Sequence, residues 1–134
     1  MKQFIQWGLI AAVVAIAAFL LIGQNAKSVA SISVNQAHEM IAKDSTVLVL
    51  DVRTLAEFTG DLGHVENSVL IPIQELEQRT GELEKYKGRK ILAICRTGRR
   101  SGIAVEELLK NGYNAVNVEG GMVQWNKAGF PVTK

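Results

Sequence analysis

Cysteine and histidine are scarce in this chain, which has one of the first and two of the second among its 134 residues. A single cysteine excludes an intramolecular disulfide and any metal site built from several thiolates. His38 and His64 lack the spacing of paired metal ligands, so no structural zinc site is predicted. Internal repeats are also absent, and low complexity is confined to the Ala/Val/Ile-rich N-terminus.

Net charge is lacking as well once the N-terminus is set aside. Lys2 and Lys27 are the only charged residues among the first thirty, so the formal charge of +2 belongs to them and the rest of the chain is neutral. The broad basic character that suits nucleic acid is therefore missing, and we expect no nucleic-acid partner. Charge is local instead, because residues 89–105 hold five basic residues and no acidic one.

A long apolar segment is present at the N-terminus. Residues 4–23 contain one polar side chain, that of Gln6. A membrane helix needs about 17–25 apolar residues, whereas a cleaved signal peptide has an apolar centre of about 7–15 and a small-residue cleavage site, which residues 28–30 offer. The length favours a retained anchor, with a cleaved signal as the alternative. We predict an anchor or signal segment at residues 1–28 and a folded domain at residues 29–134.

The charges beside this segment predict its orientation. Positive residues near a membrane segment tend to stay in the cytoplasm. Lys2 and the amino terminus precede the segment closely, whereas Lys27 alone follows it closely. A single-pass anchor would then place the folded domain on the exported side of the membrane. The bias is about one charge, so the cytoplasmic side stays open as the alternative.

Short apolar runs alternate with helical patterns through the rest of the chain. Runs that are apolar on both faces are typical of parallel strands covered on both sides. The runs are residues 47–50, 69–71, 91–94 and 116–118, and the helical patterns are residues 35–43, 74–78, 103–111 and 122–128. The buried stripe of the third helix is predicted to hold Ser101, Val105, Leu108 and Leu109. This alternation predicts an α/β domain with a mostly parallel sheet. Residues 25–33 are predicted to be a polar linker.

Cys95 follows an apolar run directly and precedes a helical pattern, inside a group of three arginines. Backbone N–H groups at a helix N-terminus and nearby positive charge stabilise a thiolate. A buried cysteine that packs as a small hydrophobic residue is the alternative, but such a residue has no use for the arginines. Asp51 also follows an apolar run. Since ligands bind beyond the carboxyl ends of parallel strands, we expect both residues to share one crevice.

Three segments carry a family resemblance. The first holds Asp51-Val52-Arg53, Glu57-Phe58, Gly63-His64-Val65 and Ile71-Pro72, the second is the loop Cys95-Arg96-Thr97-Gly98-Arg99-Arg100-Ser101, and the third holds Gly120-Gly121-Met122, Trp125, Gly129 and Pro131. In this order and spacing they resemble the rhodanese family of sulfurtransferases over residues 33–133. Two stretches depart from the family pattern. Residues 59–62 replace a shorter connection, and residues 66–68 replace a turn of small residues.

The resemblance implies a three-layer fold with a five-stranded parallel sheet, preceded here by one transmembrane helix. It implies that Cys95 carries sulfane sulfur as a persulfide, taken from an anionic donor such as thiosulfate and passed to a thiol or cyanide. No metal or organic cofactor is required. The apolar segment before a single domain is similar to small membrane-anchored members of the family in bacteria. The expected location is therefore the bacterial inner membrane.

Roles for the remaining site residues are implied by the resemblance and the residue types. The residues assigned to substrate binding are Arg96, Thr97, Gly98, Arg99, Arg100 and Ser101. We expect Gly98 to supply a backbone angle that a side chain forbids, and Ser101 either to donate to bound sulfur or to cap the helix. Asp51 and Arg53 are expected to form a supporting ion pair that orders the loop, with a direct part in the chemistry as the alternative.

Two other side chains are interpreted as structural. His64 has the chemistry of a base, but a role in fixing its loop is the preferred interpretation. Trp125 is predicted to pack in the core over the crevice floor rather than to contact a cofactor.

Other functions remain as alternatives at this point. Cysteine-dependent phosphatases of similar fold place an arginine six residues after the cysteine, where this chain has Ser101, and Arg100 is one residue short. The shorter loop suits a smaller anion, so a phosphatase or an arsenate reductase is the less favoured enzyme. A membrane-tethered persulfide carrier or interaction module, without efficient turnover of its own, is the non-enzymatic alternative.

Overall fold

Five short parallel strands form the central sheet of the computed structural model, which describes residues 29–134. In chain order they are β1 (Ser31–Ile32), β2 (Leu48–Asp51), β3 (Val69–Leu70), β4 (Lys90–Ile94) and β5 (Asn114–Val118). Their spatial order is β1-β5-β4-β2-β3, and every neighbouring pair is parallel. The predicted α/β fold with a five-stranded parallel sheet is confirmed.

Helices connect successive strands and cover both faces of the sheet. They are α1 (Val34–Lys43), α2 (Leu55–Phe58), α3 (Leu76–Arg79), α4 (Arg99–Lys110) and α5 (Gly121–Lys127), with 3-10 turns at Ile73–Glu75 and Thr80–Tyr86. Successive side chains of a strand point to opposite faces. The core is accordingly divided in two, with Leu50 and Ala93 facing α4, and Val49 and Leu92 facing α1 and α5.

The central strands explain the apolar runs in the sequence. All four residues of β2 are buried, and so are the last four of β4. The two strands pair in register from Leu48 with Ile91 to Asp51 with Ile94. Both strands therefore end at the same edge of the sheet, and this edge carries Cys95.

Three sequence-based assignments are wrong. Ser31–Ile32 is not part of a linker but forms the edge strand β1, which pairs with β5. The strand was missed because two residues, one of them polar, are too few to show a periodic pattern. Ser33 then caps α1 through a reciprocal pair of hydrogen bonds with Gln36. The helix predicted at residues 103–111 begins four residues earlier, at Arg99. Its Leu109, predicted to lie on the buried stripe, is 50% exposed.

The predicted membrane segment at residues 4–23, and with it the first predicted unit at residues 1–28, lies outside the described residues. Among residues 29–134, no helix combines the length and the apolarity that crossing a membrane requires.

Candidate active site

Cys95 lies in the turn that joins β4 to α4. Strand β4 ends at Ile94 and the helix begins at Arg99, so the intervening residues wrap around the sulfur. Gly98 adopts a left-handed conformation, with φ of 105°, which confirms the expectation that this position needs glycine. The turn directs the Gly98 N–H at the sulfur, with 3.0 Å between its nitrogen and Cys95 Sγ. The Ser101 hydroxyl is also within hydrogen-bond distance of this sulfur, with Oγ 3.3 Å from Sγ.

The surroundings of Cys95 favour the thiolate. Burial by itself raises the pKa of the Cys95 thiol, because it disfavours charge. Hydrogen bonds from the Ser101 hydroxyl and from the backbone N–H groups of Ser101, Gly98 and Thr97 outweigh burial, so the pKa falls below its ordinary value. A thiol whose sulfur is surrounded by hydrogen-bond donors has the surroundings of a reactive thiolate rather than those of a core-filling group.

The predicted cap role of Ser101 is wrong, since Gly98 occupies the cap and Ser101 is the third residue of α4. Its side chain is fully buried and makes two contacts instead of capping. One contact is with Cys95, and in the other Ser101 Oγ donates to Asn117 Oδ1 at 2.6 Å. The Asn117 amide in turn donates from Nδ2 to the Gly98 carbonyl at 3.0 Å.

Asn117 is the site residue that the sequence interpretation missed. It falls within the apolar run at residues 116–118, because its neighbours on β5 are valines. A signal was nevertheless available. An amide inside a buried strand requires hydrogen-bond partners from elsewhere in the fold, and here both partners belong to the Cys95 loop.

The three arginines of the loop have different surroundings. Arg100 donates from Nη1 and Nη2 to the two carboxylate oxygens of Glu57, at 2.7 and 2.8 Å. These hydrogen bonds lower the pKa of Glu57 to about 2 and raise that of Arg100. Much of the Arg100 charge is therefore neutralised. Within residues 29–134, neither Arg96 nor Arg99 makes a side-chain hydrogen bond or ion pair, and both are exposed.

In the part of the chain that the structure describes, clefts lie on two sides of the loop. One has a volume of about 270 Å³ and is lined by Arg96 together with Arg53, Ala56, Glu57, Gly60, Asp61 and Leu62. The other has a volume of about 500 Å³ and is lined by Thr97 together with Ser33, Val34, Glu119, Gly120 and Gln124. Arg96 and Thr97 thus face different clefts. The longer connection at residues 59–62 supplies much of one wall of the first.

Asp51 and Arg53 form the ion pair expected from the sequence, and both side chains are fully buried. Arg53 Nη2 donates to Asp51 Oδ2 at 2.7 Å, and Arg53 Nε bridges both carboxylate oxygens. The guanidinium also donates to the carbonyls of Glu57 and Gly63. The pair therefore joins the end of β2 to α2 and to the loop that follows α2.

His64 and Trp125 serve the scaffold. Nδ1 of His64 donates to the Phe58 carbonyl at 2.8 Å and its ring stacks on the Phe58 ring, while its backbone pairs with Thr133. These contacts match the loop-fixing interpretation of His64. Trp125, on α5, is buried against residues of α1, and its ring N–H donates to the Pro131 carbonyl.

The third segment of the family resemblance, which begins at Gly120, supports the Cys95 loop through hydrogen bonds from α5. The N–H of Met122 donates to the Cys95 carbonyl at 2.9 Å, and that of Val123 donates to the Arg96 carbonyl at 3.1 Å. Gly121 has φ of 53°, and a Cβ there would approach the Arg96 carbonyl carbon to 2.6 Å. Glycine is therefore required for this close approach of α5 to the loop.

Comparison with known proteins identifies the family. A sequence model of the rhodanese-like domain matches residues 33–128. This chain belongs to the rhodanese-like family. No group of three or more His, Cys, Asp or Glu side chains is placed to hold a metal ion within the described part of this rhodanese-like domain.

Similar proteins from several organisms carry related sequences and folds. YrkF of Bacillus subtilis, provisionally named a sulfur carrier protein, is 35% identical over 103 residues, which are 76% of this chain and 54% of YrkF. A protein of Allochromatium vinosum named sulfurtransferase is 32% identical over 95 residues, covering 70% of this chain and 85% of that one. The crystal structure of a rhodanese-related protein from Thermoplasma volcanium has 39% identity and a TM-score of 0.70, covering 78% of this chain and 97% of that one. This rhodanese-like chain spans about half the length of YrkF and most of the other two.

Proposed function

We propose that this rhodanese-like domain is a sulfurtransferase that moves sulfane sulfur through a persulfide on Cys95. The donor is a small anion such as thiosulfate, and the acceptor is a thiol or cyanide. The observation that carries the proposal is the position of Cys95 Sγ, which receives the Gly98 N–H at 3.0 Å and lies 3.3 Å from the Ser101 hydroxyl. These donors suit a sulfur that bears negative charge as the resting thiolate and again as the leaving group when the persulfide is discharged.

In the first half-reaction the Cys95 thiolate attacks the outer sulfur of thiosulfate. A bond forms between Sγ and that sulfur, the sulfur–sulfur bond of thiosulfate breaks, and its electron pair leaves with sulfite. One thiolate and one dianion become one persulfide anion and one sulfite dianion, so charge is conserved. The transfer is covalent catalysis, which divides one difficult step into two easier ones.

In the second half-reaction the acceptor attacks the outer sulfur of the persulfide. The bond to Sγ breaks, and its electron pair returns to Cys95 as the thiolate. With cyanide the product is thiocyanate, and with a thiolate it is a new persulfide. The donors around Sγ then assist the departure of Cys95, because a thiol of lowered pKa is a better leaving group.

The charge distribution around the loop supports an anionic donor. Arg96 and Arg99 are exposed beside Cys95, and Arg96 lines the cleft next to the loop. An unpaired positive rim raises the local concentration of a small anion. A compact donor also suits the burial of Cys95, which is 1% exposed. Arg100 contributes less to the rim because Glu57 holds its guanidinium.

A persulfide carrier that depends on a partner for turnover is the second candidate. The similarity to YrkF, whose provisional name is sulfur carrier protein, favours it. Both functions load Cys95, and they differ in how the loaded sulfur is discharged. A sulfurtransferase releases sulfur repeatedly to a small acceptor, whereas a carrier stops after one equivalent until its partner protein is supplied.

The test is mass spectrometry of the full chain after exposure to thiosulfate, followed by addition of cyanide. We expect the mass of one sulfur atom on Cys95, its loss on cyanide addition, and many equivalents of thiocyanate per chain. Thiocyanate limited to one equivalent would select the carrier. A Cys95→Ser variant is the matched control, because an alcohol cannot hold a persulfide. Thiocyanate formation by this variant at the wild-type rate would exclude the covalent mechanism.

The sequence of residues 4–23 supports a further part of the proposal, namely that a single-pass anchor tethers the domain to a bacterial inner membrane. The domain would then lie on the exported side. Reporter fusions after Lys134 test this arrangement. Alkaline phosphatase is active only outside the cytoplasm, and green fluorescent protein fluoresces mainly inside. A fluorescent, phosphatase-negative pair of fusions would reverse the orientation, and a soluble product beginning at Ser31 would indicate a cleaved signal.

A further inference from the structure

Asn117 connects the sheet to the Cys95 loop, residues 95–101, and its side chain makes no hydrogen bond with the arginines of that loop. It lies on β5, beside β4, and only 9% of its surface is exposed. Its amide makes two hydrogen bonds, one with the Ser101 hydroxyl at 2.6 Å and one with the Gly98 carbonyl at 3.0 Å. Both partners of Asn117 also contact Cys95 Sγ, the hydroxyl directly and Gly98 through its N–H.

The orientation of the Asn117 amide is fixed by these partners. A backbone carbonyl only accepts hydrogen bonds, so the group of Asn117 that faces the Gly98 carbonyl has to be the NH₂. The amide oxygen therefore faces Ser101, and Ser101 has to be the donor in that contact. The Gly98 carbonyl also accepts the Gly102 N–H at 3.2 Å, so it keeps a partner if Asn117 is replaced.

The Ser101 hydroxyl thus has two acceptors and one hydrogen. Asn117 Oδ1 is at 2.6 Å and Cys95 Sγ is at 3.3 Å, and a hydroxyl hydrogen cannot be donated fully to both. A neutral thiol is a weak acceptor, whereas a charged acceptor makes a hydrogen bond about twice as strong as a neutral one. The preferred acceptor of Ser101 therefore depends on whether the sulfur carries charge.

We propose that Asn117 is a positioning residue that holds the Ser101 hydroxyl away from the reactive sulfur until that sulfur becomes charged. In the thiol form the hydroxyl donates to Asn117. In the thiolate form it turns to Sγ, and Asn117 Oδ1 loses a hydrogen bond. Asn117 thereby adds a cost to forming the thiolate and limits how far the loop stabilises it.

The consequence for turnover rests on the proposed sulfur transfer. When Cys95 is loaded, Sγ becomes a neutral sulfide and the charge moves to the outer sulfur, so the hydroxyl returns to Asn117. When an acceptor takes the outer sulfur, charge returns to Sγ and the hydroxyl turns back to it. A less stabilised thiolate is the stronger nucleophile for loading, and a more stabilised one is the better leaving group for discharge. Asn117 sets the balance between these two steps.

Of the charged groups around Cys95, three are held by partners, whereas Arg96, Arg99 and Glu119 are exposed. Arg100 on α4 lies near enough to Cys95 to interact electrostatically and is paired with Glu57 of α2. Asp51 and Arg53 form a buried pair at the end of β2. On the β5 side, Glu119 lines the cleft that Thr97 faces.

The experiment is a cycle of four full-length chains, namely wild type, Asn117→Leu, Ser101→Ala and the double variant. The charged groups near Cys95 are the same in all four. The rate of alkylation of Cys95 by iodoacetamide is measured as a function of pH, and it reports one thiol because the chain has a single cysteine. Alkylation needs no sulfur donor, so the result does not depend on sulfur transfer.

We expect Asn117→Leu to move the alkylation midpoint to lower pH, because Ser101 is freed to donate to the sulfur. The thiolate population below the midpoint should rise about fivefold, the equilibrium change for one neutral hydrogen bond. Each thiolate is somewhat less nucleophilic, so the rate there should rise about two- to threefold. Ser101→Ala should move the midpoint to higher pH, and the double variant should match Ser101→Ala.

Two outcomes would overturn the proposal. A midpoint that stays in place or rises in Asn117→Leu would show that Asn117 does not compete for the hydroxyl. An Asn117→Leu effect that persists in the Ser101→Ala background would show that the residue acts only through the shape of the loop. Either result, together with normal persulfide formation, would reject this proposal and leave the proposed function intact. If the four chains show the expected alkylation midpoints but Cys95 forms no persulfide, the proposed function is rejected and the role of Asn117 stands.

Discussion

The buried ion pair between Asp51 and Arg53 leads to a large predicted loss of stability. Replacing Arg53 with Met keeps most of the side-chain volume and removes the charge. The Asp51 carboxylate then loses three hydrogen bonds from the guanidinium, and the carbonyls of Glu57 and Gly63 lose one each. Removing one member of a fully buried pair costs about 3–5 kcal/mol, because the remaining charge stays buried without a partner.

This loss is large against the stability of a small domain, which is about 5–15 kcal/mol. For a domain of about a hundred residues, 1 kcal/mol lowers the melting temperature by about 4 °C. We therefore expect Arg53→Met to melt about 12–20 °C below the wild type, measured by circular dichroism and by urea unfolding. Arg53→Lys should fall between the two, since it keeps the charge and loses the forked geometry.

The matched control is Arg79→Met. Arg79 also pairs with carboxylates, those of Glu75 and Glu82, but on the surface, where such pairs contribute little. A second check is the double variant Asp51→Leu with Arg53→Met, which removes both charges and should recover much of the lost stability. A melting temperature for Arg53→Met equal to that of the control would refute the reasoning. So would a double variant less stable than Arg53→Met.

The other predictions concern the residues that surround the loop. Glu57→Gln should free Arg100 and lower the KM for thiosulfate several-fold with little change in kcat, whereas Arg96→Ala should raise the KM and reduce its dependence on salt. Equal kinetics for Glu57→Gln and wild type would show that Arg100 takes no part in donor binding. Hydrogen bonds from Arg100 lower the pKa of Glu57 from 4.5 to about 2. The carboxylate therefore stabilises the fold above pH 4.5, and this stabilisation is lost as the pH falls toward about 2. Urea unfolding should show the stability difference between wild type and Glu57→Gln shrinking across that range, and a constant difference would contradict the assignment. Gly121→Ala should destabilise the domain by about 2–4 kcal/mol through strain and overlap, whereas Gly81→Ala, whose added Cβ meets open space, should have no such effect.

Much of the fold was predictable because each central strand leaves a local pattern in the sequence. Strands β2 and β4 are buried on both faces, so each appears as a continuous apolar run that ends at a chemically distinctive residue, Asp51 or Cys95. Edge strand β1 was missed for the opposite reason. Its two residues are too few and too exposed to leave a pattern in the sequence. They form a strand because they pair with β5.

The Cys95 loop, residues 95–101, was predictable in part. The lone cysteine, the glycine three residues later and the arginines are adjacent in the chain, and a strand-to-helix turn was enough to direct the glycine N–H at the sulfur. The sequence alone could not distinguish among the arginines. Glu57 is 43 residues from Arg100 along the chain, and only the packing of α2 against the loop brings the two charges into contact.

The sequence by itself therefore determined the α/β class, the order of most elements and the position of the lone cysteine at the end of a buried strand, because local patterns and nearest neighbours along the chain dictate these. Tertiary structure decided which charges are neutralised, which glycine allows α5 to approach the loop, and which hydroxyl contacts the sulfur. The reason is physical. Hydrogen bonds and ion pairs depend on separations of about 3 Å, and the contacts of Asn117 with Ser101 and Gly98 form only when β5 lies beside β4.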